Sequence, residues 1–91
     1  MTSYKVVLKR SATKELGRLP QNVHDNIIRH LRELESNPRI FGSEKLTGVN
    51  AYKLRVGNYR IIYKIDDTEN EISIVMVDDR KQVYRRIGRK K

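Results

Sequence analysis

Cysteine is absent from the 91-residue sequence, which excludes a disulfide framework and any thiolate metal site. Nothing then argues for an oxidising compartment, and a cytoplasmic setting is expected. Long apolar runs are missing as well. The opening residues MTSYKVVLKR lack the run of a signal peptide, and no segment approaches the roughly 20 apolar residues of a membrane span. There is no Gly-rich phosphate loop and no nucleophile elbow. His24 and His30 stand six apart, outside the i, i+4 spacing of a helical metal pair, so packed or rim positions are expected for both. No metal and no cofactor is expected.

Apolar and acidic residues are both in short supply. Hydrophobic residues make up 37% of the chain and charged ones 34%; 20 Lys and Arg against 11 Asp and Glu leave a net charge of +9. The apolar residues recur periodically, which argues for a folded domain, and the length allows one modest core, so residues 1–91 are expected to form one domain. A pI near 10.1 invites a polyanionic partner. A membrane surface fits poorly, because the longest predicted helix needs its apolar face for the core.

The segment YKVVLK alternates, with Tyr4, Val6 and Leu8 on one side, and reads as a strand. Ser11 is placed to cap a short helix carrying Ala12, Leu16 and Leu19, which Pro20 closes. From Gln21 to Ser36, Val23, Ile27, Leu31 and Leu34 form one helical stripe. Residues 38–50 read as a loop pinned by Ile40, Phe41 and Leu46. Strands are predicted at 51–56, 59–65 and 71–77, joined by Gly57-Asn58 and by the acidic turn DDTEN, and a short helix from Arg80 to Ile87. Strand, helical hairpin, antiparallel meander and terminal helix make an α+β pattern.

Lys53, Arg55, Arg60 and Lys64 interrupt the apolar residues of YKLRVGNYRIIYK. A two-residue turn at Gly57-Asn58 sets Arg55 opposite Arg60 and Lys53 opposite Ile62. Alternation then sends Tyr52, Leu54, Val56, Tyr59, Ile61 and Tyr63 to the helices and all four cations to the other face. Continuing the register puts Tyr63 opposite Ile74 and Ile62 opposite Val75, so that Ile72, Ile74 and Met76 join the core while Ser73, Val75 and Val77 join the cationic face. Like charges directly cross-strand are destabilising. Acidic residues cluster in the helices and the DDTEN turn, which leaves this face without compensation and suited to a phosphate backbone.

RNA carries its own nucleophile, the 2′-hydroxyl, so cleaving it requires no metal. It requires a base, cations to hold the phosphorane charge, and an acid for the leaving 5′ oxygen. Lys53 is the residue near the centre of the patch whose proton can move, and crowding by Arg55 and Arg60 favours its neutral form. In DDRKQVYRR, Arg80 and Tyr84 share a helical face, where Tyr84 can stack on a base. Lys64, Lys81, Arg85 and Arg86 are the remaining RNA-binding candidates.

The order strand, helical hairpin, KLTGVNAYKLRVGNYRIIYKI, strand, DDRKQVYRR resembles the RelE/ParE superfamily of toxins over nearly the whole chain. The RelE branch implies a ribosome-dependent endoribonuclease that cuts messenger RNA and is held inactive by an antitoxin, here expected to offer an acidic, partly disordered segment. By position, the resemblance gives Lys53 and Arg55 base and charge-stabilising roles, and makes Arg60 the arginine that steadies the transition state. Arg80 becomes the second arginine, sometimes assigned as the acid, and Tyr84 the tyrosine that stacks on the substrate. The ParE branch, which poisons DNA gyrase without cutting RNA, and a plain nucleic-acid-binding module remain open.

Overall fold

The computed structural model describes residues 3–40 and 42–79. The expected helix from Arg80 to Ile87 lies outside the described residues, as does the expected loop anchor Phe41. Strand β1 (Lys5–Leu8) leads into helices α1 (Arg10–Gly17) and α2 (Gln21–Ser36). Strands β2 (Ser43–Lys45), β3 (Tyr52–Val56), β4 (Tyr59–Asp66) and β5 (Glu71–Asp79) follow. The sheet order is β1-β5-β4-β3-β2. β1 runs parallel to β5 and every other pair is antiparallel.

Periodicity explains most of this. Ala12 and Leu16 of α1 and Ile27, Leu31 and Leu34 of α2 are buried against Leu54, Val56, Ile61, Tyr63, Ile72, Ile74 and Val77 of the sheet. Fully burying one such aliphatic side chain contributes about 1.5–3 kcal/mol, so this single layer of contacts holds the helices on one face. The turn between β3 and β4 has Gly57 at φ 61 with Asn58 at negative φ, the pattern of a II′ hairpin turn. It fixes the expected pairs Arg55 with Arg60 and Lys53 with Ile62.

Three expectations need correction. Residues 38–50 are not wholly loop, because Ser43–Lys45 pairs with Tyr52–Leu54 as the edge strand β2. Three residues of SEK carry no apolar alternation, so the pattern that marks the other strands is missing here. Ser11 does not cap α1. The helix begins at Arg10, after Lys9, and the Ser11 hydroxyl donates to the Val75 carbonyl at 3.2 Å.

The third correction is the register of β5. Tyr63 does pair with Ile74, but Ile62 pairs with Met76, so Val75 is an extra residue in a β-bulge. Beyond it the faces exchange: Val77 enters the helix-side core, whereas Met76 joins Ile62 and Ala51 in a small apolar cluster with Leu46 packed on it. Helix α1 supplies the partners that the disrupted ladder lacks. The Ser11 hydroxyl reaches the carbonyl of Val75 itself, and Glu15 Oε1 accepts from Val77 N–H at 2.9 Å. The bulge therefore comes with the helix that satisfies it.

Candidate functional site

The hairpin β3–β4 presents Lys53, Arg55, Arg60 and Lys64 on the sheet face away from the helices, because each is out of step with the core positions Leu54, Val56, Ile61 and Tyr63. Three of them come together. Arg55 and Arg60 are direct cross-strand partners, and Lys53 lies two residues along β3 from Arg55. Lys64 does not join them. It pairs with Ser73 four residues along β4 from Arg60, roughly 13 Å at strand rise. There it lines a cavity of about 520 Å³ with Asp66, Asp67 and Glu71. Arg80, Lys81, Tyr84, Arg85 and Arg86 lie outside the described residues.

The three clustered cations differ in environment. Arg55 is exposed. Arg60 is buried to 3% exposure, its Nε has no hydrogen-bond partner, and its Nη1 donates only a long bond, 3.4 Å, to the Tyr59 carbonyl. Among the described residues neither arginine forms an ion pair within 4.0 Å. A buried guanidinium left this way is costly, since desolvation is not offset by pairing. Lys53, with a side chain 12% exposed, lies 3.7 Å from the Glu44 carboxylate.

That Glu44 contact corrects the expectation of a face without compensating carboxylates. Glu44 comes from β2, the strand that the sequence pattern did not reveal, and it offsets the positive field of the neighbouring arginines at Lys53. Asp78 is a second carboxylate on this face: the bulge turns it to stand cross-strand from Arg60. Read without the bulge, Asp78 falls on the helix side. The only local signal was the unbroken apolar run Ile74-Val75-Met76-Val77, in which strict alternation fails.

His30 behaves as its rim position predicts. Its Nδ1 lies 2.8 Å from the Asn26 carbonyl, an i−4 contact within α2. Asp66 and Asp67 of the acidic turn have structural work. Asp66 Oδ1 accepts from the N–H groups of Thr68 and Glu69 at 3.0 Å, and Asp67 holds Arg39 and Tyr4. Among the described residues no group of three or more His, Cys, Asp or Glu is placed to hold a metal ion, and no helix is long and apolar enough to cross a membrane.

A five-stranded sheet backed by a helical hairpin is a fold with known relatives. Residues 6–84 match the ParE toxin family of type II toxin–antitoxin systems. The chain belongs to this family. Toxin RelG of Mycobacterium tuberculosis is 30% identical over 87 residues, covering 91% of this chain and 98% of that protein. The toxin–antitoxin complex RelBE2 of M. tuberculosis contains a chain that superposes with TM-score 0.79 at 26% identity, covering 87% of this chain and 100% of that one. The archaeal RelE–RelB complex of Pyrococcus horikoshii gives TM-score 0.78 at 27% identity, covering 87% and 97%. The protein is thus a RelE-like member of the RelE/ParE superfamily, and its α+β fold of two helices on a five-stranded sheet is that of these toxins. Within it, the β3–β4 hairpin carries the cationic cluster.

Proposed function

We propose that this toxin is a ribosome-dependent endoribonuclease that cuts messenger RNA by attack of the 2′-hydroxyl on the adjacent phosphorus. The observation that carries this reading is Arg60, a buried guanidinium with an unpartnered Nε directly across from Arg55. Donors held in that state need no reorganisation when a phosphorane forms beside them, and low local dielectric strengthens their effect. A base takes the 2′-hydroxyl proton, the new bond from the 2′ oxygen to phosphorus closes a cyclic phosphate, and the bond to the 5′ oxygen breaks as that oxygen takes up a proton and leaves as a hydroxyl. Lys53 serves proton removal, Arg55 and Arg60 stabilise the equatorial oxygens, Arg80 acts on the leaving oxygen, and Tyr84 stacks on a base. Lys64, Lys81, Arg85 and Arg86 bind backbone phosphates. The RNA supplies the nucleophile, so the reaction runs without metal or cofactor, and the whole chain works as one domain in the cytoplasm, where ribosomes are.

The solved relatives include toxins in complex with RelB antitoxins, and a cognate antitoxin is the partner proposed for this chain. An acidic, partly disordered segment of it neutralises the cationic face and blocks RNA. A second reading has one specific support: the matching family is described by ParE. On that reading the protein poisons DNA gyrase without cutting RNA.

Cleavage of mRNA on programmed ribosomes by wild type, Arg60→Ala and Tyr84→Phe separates these readings. The expected result is cutting by wild type and a loss of roughly 10²–10³-fold for Arg60→Ala, the usual cost of one transition-state donor, with a clear loss for Tyr84→Phe. Intact mRNA together with trapped gyrase–DNA complexes transfers the assignment to gyrase. Binding without cutting or gyrase trapping leaves a nucleic-acid-binding module.

A further inference from the structure

Beside the cationic cluster, at the β3 edge, lies a cavity of about 390 Å³ lined by residues that include His30, Glu33, Glu44, Lys53 and Arg55. It opens because β2 stops short: its pairing with β3 ends at Leu54. Gly42, at φ 98, turns the chain into β2 and lines the cavity without a side chain. The volume lies in the range of small-ligand sites.

The chemistry of the lining is divided. Lys53 and Arg55 of β3 offer positive charge, whereas the exposed carboxylates Glu33 and Glu44 accept hydrogen bonds only. His30 adds a third acceptor. The Asn26 carbonyl cannot donate, so the His30 Nδ1 carries the proton in their 2.8 Å contact, and in the neutral ring Nε2 keeps its lone pair. A phosphate fits the two cations but is repelled by the two carboxylates. A ligand suited to the entire lining is anionic at one end and rich in N–H donors at the other.

A nucleotide has that character. We infer that this cavity receives a nucleobase of the bound RNA and selects bases that carry an exocyclic amino group, while Arg55 holds the attached phosphate. Adenine, cytosine and guanine offer amino hydrogens to Glu33, Glu44 and His30. Uracil presents two carbonyls and a single N–H, so it meets the acceptors with acceptors. The assignment rests on the RNA-cleavage reading for its biological meaning, and it makes Glu33 and Glu44 specificity-determining residues.

The test uses the full chain titrated with each of the four ribonucleoside 5′-monophosphates, followed by NMR amide shifts. AMP, CMP and GMP are expected to shift His30, Gly42 and Leu54 and to bind about tenfold more tightly than UMP, the discrimination that one hydrogen bond to a charged group provides. Glu33→Gln and Glu44→Gln replace an acceptor by an amide that can also donate to uracil carbonyls, so both are expected to narrow the gap. Equal binding of all four nucleotides, shifts confined to other residues, or a gap unchanged in both variants overturns the inference. Ribosomal cleavage reports on the reading beneath it independently. A toxin that cuts mRNA but fails the titration loses only the base pocket, and one that passes the titration but cuts nothing loses only the cleavage assignment.

Discussion

Arg39 and Arg60 carry the same side chain in opposite conditions. Arg39 is half exposed and fully partnered: Nη2 and Nη1 reach the two Asp67 oxygens at 2.9 and 3.5 Å, and Nε donates to the Tyr52 hydroxyl at 3.3 Å. Its guanidinium carbon also stands 5.6 Å from the centre of the Tyr52 ring. Tyr52 in turn stacks on Tyr63 at 5.8 Å, whose hydroxyl donates to the Pro38 carbonyl at 2.8 Å. The result is a clasp joining the segment after α2, the hairpin and the acidic turn. Arg60, almost wholly buried, has one long bond and an idle Nε. On the proposed reading, Arg39 serves stability and has its partners within the fold, whereas Arg60 is held for an anionic ligand and goes without them.

The largest effect that can break this contrast is at Arg60. Replacing it with Met removes a buried cation that no carboxylate of the described residues pairs with, and keeps much of its volume. Exchange of buried charge for apolar packing is commonly stabilising by about 1–4 kcal/mol. Arg60→Met is therefore expected to raise the melting temperature, by roughly 4–8 °C for each 1 kcal/mol gained, while abolishing RNA cleavage. Thermal unfolding by circular dichroism decides it. A variant less stable than wild type means that Arg60 holds the fold together, and the contrast with Arg39 collapses.

The difference between the two arginines was only partly legible in the sequence. Alternation around Gly57-Asn58 placed Arg55 and Arg60 side by side, because the side-chain period of a strand and a two-residue turn leave no freedom. The helices were legible for the same reason: the stripe Val23, Ile27, Leu31, Leu34 has one period that fits. Three things were hidden. The bulge at Val75 costs one residue of register and is satisfied by the side chains of Ser11 and Glu15, more than 60 positions away in the chain. Strand β2 is too short and polar to show a period, so its Glu44 could not be matched to Lys53. The burial of Arg60 is tertiary, and nothing in the run NYRII distinguishes a buried arginine from a solvated one.

Arg39 sharpens the comparison from the other side. Arg39→Ala removes a partly exposed ion pair and a cation–π contact, each worth at most about 1 kcal/mol at the surface. A loss of about 1 kcal/mol is expected, or roughly 4–8 °C in melting temperature for a domain of this size. Cleavage of ribosome-bound mRNA is expected to persist, since the clasp lies at the end of the sheet away from Arg55 and Arg60. Should Arg39→Ala abolish cleavage while leaving stability intact, the two arginines have exchanged roles.

The smallest effect is a dependence on pH, and it too differs between the sites. The Asp67 carboxyl is held below its usual range, first by the hydrogen bond from Arg39 and next by that from the Tyr4 hydroxyl at 2.6 Å. A carboxylate whose folded pKa is lowered contributes stability that is fully present above the unfolded value, near pH 4, and is lost as pH falls through the folded one. The melting-temperature gap between wild type and Asp67→Asn is thus expected to be constant from pH 7 to about 5 and to close below that. A guanidinium does not titrate in this range, so the gap between wild type and Arg60→Met has no such source of change. If acid instead closes the Arg60→Met gap and leaves that of Asp67→Asn open, the clasp is not the acid-sensitive element, and the division between a partnered arginine and an idle one loses its thermodynamic support.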